Sequence, residues 1–421
     1  MTNSGDRQGP SGRRRPLTPL RRAIVGIAAC ALAAGVAACS STGPGVSSAA
    51  GSGGSGGSGA SAASGSGSEK MIRIGLTNAA ITAYSANYAV GQYLGCYKKL
   101  GYQIHVQGYP GPSALLAAFQ QGSVDIGVPG SDQYVSFVNT IKKSGNSLPL
   151  MAFYELAYPF RYGMAVKAGS GITSLQQLAG KSVGIATQSD SSNATLQAVL
   201  KQNGMSPTSI KTIATGTGAG SAQALSSGKV SALWFNDVGV GAVLGDNVPL
   251  SFVTISGKKP FVNAGGILAF TTQKEYTSDK AMFQAFATCA TEGDIFSKAN
   301  PAAASYILLQ QYPQLGLVGQ PLDKQIAKLD LGITLRAPLF HSTDATAQYG
   351  AMNETEYTND QSILLGMSAP YLDMTPYWTN DLIGPANAAV DTAAITKQAQ
   401  DFKIPGISGD VAIPDIPANS P

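Results

Sequence analysis

Residues 160–204 read FRYGMAVKAGSGITSLQQLAGKSVGIATQSDSSNATLQAVLKQNG. Met164–Val166 predicts an apolar strand, Gly180 closes a short helix, and Ser182–Ala186 predicts a second strand. A Ser/Asp/Asn-rich loop, Gln188–Asn193, then feeds an amphipathic helix. A strand entering a helix through such a loop places side-chain hydroxyls, carboxylates and free backbone amides at one point, which suits a small polar ligand.

The same strand–loop–helix unit recurs on both sides. Upstream, Met71–Leu76 leads to Thr77–Ala80, Tyr102–Gln107 to Gly108–Ser113, and Val124–Val128 to Pro129–Asp132. Downstream, Ile210–Ala214 leads to Thr215–Gly218 and Ser231–Phe235 to Asn236–Asp237. Strands alternating with helices predict an α/β fold with mainly parallel sheets, and the doubled pattern predicts two lobes. A return to strand at Ala264–Phe270 followed by helical periodicity over Met282–Phe296, Pro301–Gln311, Asp323–Leu335 and Thr343–Gly366 predicts that the C-terminal part completes the first lobe, and the proline-spaced Pro405–Pro421 predicts a disordered end. Ala157–Tyr162 and Ser256–Gly266 are the expected hinges.

The 421 residues suffice for two domains with substantial cores. The net charge of +4 misleads, because residues 1–38 carry six arginines against one acid and leave the rest near −1. No basic stripe remains to neutralise phosphates, so no nucleic-acid partner is expected. The arginines precede an apolar run, Ala23–Ala38, that is shorter than the ~20 residues a membrane span needs. Val36-Ala37-Ala38-Cys39 fits secretory cleavage, with residues 1–38 as signal peptide. It resembles the lipobox of bacterial lipoproteins, which implies a diacylated Cys39. Residues 39–68 are almost wholly Ser, Gly and Ala, a flexible tether.

Several residues carry the resemblance to a family: Ile74-Gly75, Gly111-Pro112-Ser113 before a helix, and the run Gln121-Gly122-Ser123-Val124-Asp125-Ile126-Gly127. Gly171-Ile172, Leu178–Gly184 and Ser227–Trp234 add to them. In this order over residues 71–270 the chain resembles the two-lobed, type II periplasmic-binding proteins of ABC importers, within the group that binds sulfonates, nitrate, taurine and thiamine-pyrimidine precursors. The resemblance implies lobe one over 69–159 and 256–400, lobe two over 160–255, and a tail at 401–421. It also implies an extracytoplasmic, lipid-anchored monomer that hands a solute to a permease and an ATPase encoded elsewhere, with no cofactor.

Other chemistries are poorly supported. Gly180-Lys181-Ser182 lacks the earlier glycine of a phosphate loop, since Leu175 stands there, and it precedes a strand. Gly216-Thr217-Gly218 lacks the third glycine of a dinucleotide fingerprint, where Ser221 stands. The two histidines, His105 and His341, accompany no nucleophile elbow or metal-ligand spacing, and the cysteine-rich motif of the pyrimidine-synthesising relatives is absent, so no enzyme is expected. Cys96 and Cys289 remain after processing, either as a disulfide or as two buried thiols.

The expected ligand contacts are Asn78, Tyr84, Ser113, Ser131, Asp132, Arg161, Gln188, Ser189, Asp190, Asn193, Thr217, Trp234, Asn236 and Asp237. Arg161 is the single guanidinium among them, whereas three carboxylates would repel an anion and accept N–H donors. That balance favours an uncharged or amine-bearing ring, such as a pyrimidine, stacked on tyrosine or Trp234. For each Asp the competing role is helix N-capping, and for Trp234 it is core packing. The alternatives are a sensing or adhesion lipoprotein, and an importer component for a sulfonate- or nitrate-type anion.

Overall fold

Eight of the strands fall within a few residues of those the alternation predicts, and β4 and β9 are additional: β1 (Lys70–Leu76), β2 (Tyr102–Gly108), β3 (Ile126–Val128), β4 (Leu150–Ala157), β5 (Tyr162–Lys167), β6 (Ser182–Ile185), β7 (Lys211–Ala214), β8 (Ala232–Asn236), β9 (Leu250–Phe252) and β10 (Ile267–Thr272). The structure, a computed structural model, describes residues 69–78, 81–145, 148–158, 162–255, 265–316, 319–341, 348–417 and 420–421. The expected signal peptide and tether with Cys39, Arg161, half of the first expected hinge and most of the second lie outside the described residues.

Among the described residues two five-stranded sheets result, ordered β2-β1-β3-β10-β4 and β7-β6-β8-β5-β9. Within the first, β1 pairs in parallel with β2 and β3, while β10 runs antiparallel to both β3 and β4. In the second, β6 pairs in parallel with β7 and β8, while β5 runs antiparallel to both β8 and β9. In each sheet, therefore, a single strand opposes the other four. Those two strands, β5 and β10, are the ones by which the chain enters a sheet after leaving the other.

Each sheet is buried on both faces, which is why its central strands are nearly continuous in apolar residues. One face of the first sheet packs Ile72, Ile74 and Phe153 against Phe283 and Phe286; the other packs Phe270 among Phe119, Tyr134 and Phe137. Gly127 is required there, since a Cβ would lie 2.2 Å from the Phe270 ring. In the second sheet, Val183, Ile185 and Trp234 form one core and Leu233, Phe235 and Val243 the other.

The C-terminal third departs from expectation in three respects. The Leu322–Arg336 helix packs mainly on the Asp237–Gly245 helix of the second sheet as well as on Pro301–Gln311, instead of on the first half alone. Paired glycines allow this: a Cβ on Gly241 would lie 2.6 Å from the Gly332 amide nitrogen. The helix expected over Thr343–Gly366 reduces, among the described residues, to Glu354–Asn359 and a π-helical turn, Asp360–Leu364. Finally, the tail expected to be disordered is packed. Phe402, Ile404, Ile407 and Val411 pack on a helical cluster around Phe296, and Ile413 and Ile416 pack on the second sheet's core around Leu233. Apolar residues spaced between the prolines offset the ordering entropy that composition alone suggested would win. Cys96 and Cys289 form a disulfide between the Cys96–Lys99 and Lys280–Ala299 helices.

Candidate functional site

The carboxyl ends of β1, β3, β6 and β8 face one another across the gap between the sheets, and a helix starts just after each of the last three. Open sheets present ligands with free amides and helix N-termini at this place. The sequence supplies the caps. Gly130 N–H donates to Gln133 Oε1 at 3.2 Å, the Asp190 carboxylate accepts from the Ser192 amide at 2.7 Å, and Asn236 Oδ1 accepts from the Gly239 amide at 2.9 Å.

Two adjoining chambers occupy the gap, of about 60 and 530 Å³. Asn78, Thr82, Tyr84, Tyr162, Asp190 and Asn236 line both, and Thr217 joins the larger. A third cavity, about 600 Å³, is lined by Asp132, Gln133, Gln188, Ser189, Asp190 and Asn193 together with the π-helical turn. The expected contacts are thus divided between two regions, with Asp190 belonging to both. Near that division Ser191 Oγ donates to Asp132 Oδ1 at 2.6 Å, a hydrogen bond from one sheet's half to the other. Asp132 is 3% exposed, and burial, aided by the nearby Asp190 charge, pushes its carboxyl up to about 6.

The remaining candidates fall elsewhere. Ser113 is exposed at the start of the Pro112–Gln120 helix and lines none of these three cavities, while Ser131 is buried beneath them. Trp234 is a core residue: fully buried, it donates through Nε1 to Thr195 Oγ1 at 2.8 Å. Its indole stacks on Tyr162, centroids 5.5 Å apart and planes 13° apart, so the aromatic face turned to the chambers is Tyr162, with Trp234 behind it.

Asp237, 0% exposed, accepts from Arg336 Nη2 at 2.6 Å, from the Tyr84 hydroxyl at 3.2 Å and from the Val238 amide at 2.8 Å. Burial raises its pKa despite the guanidinium, which pulls the other way. Arg336 and Ser191 escaped the sequence reading. Ser191 lay inside the Gln188–Asn193 run and was recoverable; Arg336 is distant in sequence and gave no local signal.

A gap of this kind between two doubly covered α/β sheets defines the two-lobed periplasmic-binding-protein fold. Three solved structures share it. The periplasmic aliphatic sulphonate binding protein SsuA of Escherichia coli is 17% identical, with TM-score 0.52 over 73% of this chain and 96% of its own. The alkanesulfonate-binding protein SsuA of Xanthomonas axonopodis pv. citri, bound to MOPS, is 18% identical, with TM-score 0.51 over 75% and 97%. The periplasmic nitrate-binding protein NrtA of Synechocystis PCC 6803 is 12% identical, with TM-score 0.53 over 78% and 90%. No curated protein matches the chain by sequence. The family model described as NMT1/THI5 like matches residues 82–304, more than half of the chain, and the protein belongs to that family.

Proposed function

We propose that the protein is the solute-binding component of an ABC importer and that its solute is a small, uncharged or amine-bearing ring compound, a pyrimidine or a similar nitrogen heterocycle. The observation that carries this reading is the lining of the gap. Tyr84 and Tyr162 offer aromatic surface, Asp190 is an acceptor, and Asn236, whose Oδ1 is committed to the Gly239 amide, has its NH₂ left to donate. Among the described lining residues the one cation is Lys328, which is paired with Asp246. A flat solute with N–H donors and a ring acceptor complements that set; an inorganic anion does not.

Lobe closure supplies the binding step, because the lining comes from both sheets and is complete only when they approach. The proposed boundaries are 69–159 with 256–400 for one lobe and 160–255 for the other. Cys39, diacylated after removal of residues 1–38, anchors the protein to the outer face of the membrane, and 39–68 tether it near a permease and its ATPase. Among the described residues no helix is long and apolar enough to cross a membrane.

The test is a thermal-shift screen of pyrimidines, aromatic acids, sulfonates and nitrate, with mass spectrometry of whatever copurifies. A ligand at about one hundred times its dissociation constant adds about 2.7 kcal/mol of stability. Stabilisation by ring compounds with N–H donors supports the reading; stabilisation by sulfonate or nitrate alone replaces it with the anion importer. Binding without loss of solute uptake on gene deletion favours a sensor.

A further inference from the structure

We infer that Arg336, which lines none of the chambers, is a positioning residue that makes Tyr84 a hydrogen-bond acceptor, and never a donor, toward the solute. This rests on the gap being the solute site. Arg336 ends the Leu322–Arg336 helix, beyond the stretch the family model matches, and is 1% exposed. Its Nη2 donates to both the Tyr84 hydroxyl oxygen, at 3.0 Å, and Asp237 Oδ1, at 2.6 Å, and its Cζ lies 4.8 Å from the Tyr84 ring centre.

The consequence follows from counting hydrogens. A phenol has one, and that of Tyr84 goes to Asp237 Oδ1 at 3.2 Å. Asp237 takes it as a carboxylate, a state that for a side chain 0% exposed depends on the guanidinium beside it. Without Arg336, a carboxylate this deeply buried would take up a proton. As a carboxylic acid it has its own hydrogen to donate, and the phenol hydrogen is released to turn toward the chamber. Arg336 thereby sets the polarity of a residue that lines both chambers without touching the solute itself.

Cytosine and uracil test this on the full chain, because they present an amino donor and a carbonyl acceptor at the same ring position. In calorimetric titrations the wild type is expected to prefer cytosine by roughly tenfold, the worth of about one hydrogen bond. Arg336→Met should erase or reverse the preference, and Arg336→Lys, which keeps the charge, should restore it. Tyr84→Phe retains the ion pair and loses the hydroxyl, so it should also erase the preference, and it serves if Arg336→Met does not fold. A merely structural Arg336 would weaken both ligands alike.

An unchanged ratio in Arg336→Met or in Tyr84→Phe overturns the inference. So does a wild type that prefers uracil, or one that binds other ring compounds but neither of these. Absence of any ligand across the wider screen is a different result, and it removes the solute-binding reading beneath this one as well.

Discussion

At the scale of single residues, burial decides what the carboxylates do. The pKa of Asp132 is pushed up to about 6, so the folded protein holds that proton more tightly than the unfolded chain, where a carboxyl titrates near ~4. The associated stability is complete below about pH 4 and is lost as pH rises through about 6. Asp132→Asn, which keeps an oxygen to accept from Ser191, should lack this component. Unfolding free energies from urea titrations at pH 4 and pH 7 should fall more for the wild type than for the variant, by at most about 3 kcal/mol. Parallel pH curves for the two proteins would refute the assignment. The Asp237–Arg336 pair behaves differently: truncating one partner strands the other in the core. Arg336→Met should cost about 3–5 kcal/mol, and Arg336→Met with Asp237→Leu less than that, both read from urea midpoints.

At the scale of elements, the helices over the first sheet are fixed by contacts with almost no slack. A Cβ on Gly293, in the Lys280–Ala299 helix, would fall 1.6 Å from the Asn87 carbonyl oxygen, so Gly293→Ala must force the Ala86–Tyr93 helix away. A loss of about 3 kcal/mol or more is expected, against a small gain had the glycine been an exposed helical one. The disulfide joins residues 193 apart in sequence, and in the chain-entropy picture closing so long a loop is worth about 5 kcal/mol. Reduction with dithiothreitol should lower the melting temperature of the wild type but not of a Cys96→Ala, Cys289→Ala double variant; an unmoved wild-type melting curve would contradict it. Pairing was undecidable from sequence because two buried thiols and a disulfide leave the same pattern of residues. Most strand positions were legible for the opposite reason: periodicity is local, and eight of the ten strands carry their own signal, whereas β4, which runs into an expected hinge, and the three-residue β9 did not stand out. Trp234 was ambiguous in the same way as the cysteines, since a strand-end indole suits both a core and a cleft, and only the neighbouring Tyr162 ring decides which.

At the scale of the whole molecule, what the sequence could not show is how the C-terminal third ties the two sheets together. Arg336 reaches Tyr84 across 252 positions, and the tail's isoleucines find partners far earlier in the chain. Such contacts have no local period, and the tail's composition resembles a linker. The tail nevertheless crosses from one core to the other within a very short span: Val411 packs on the helical cluster and Ile413 on the second sheet's core. Two residues of chain reach at most about 7 Å, so at that point the two surfaces cannot separate further unless the tail peels away. Opening of the gap should therefore be limited by the tail as well as by the segments between the sheets. With fluorophores placed on the two halves, a chain ending at Lys403 should show a longer mean distance and a broader distribution in the absence of solute. Ile413→Ser with Ile416→Ser, which frees only the second anchor, should move the distance in the same direction with the rest of the tail in place. Distances identical to those of the full chain in both variants would mean that the tail packs on the surface without restraining it, leaving the Leu322–Arg336 helix, packed on the Asp237–Gly245 helix, and the segments between β4 and β5 and between β9 and β10 to set the opening.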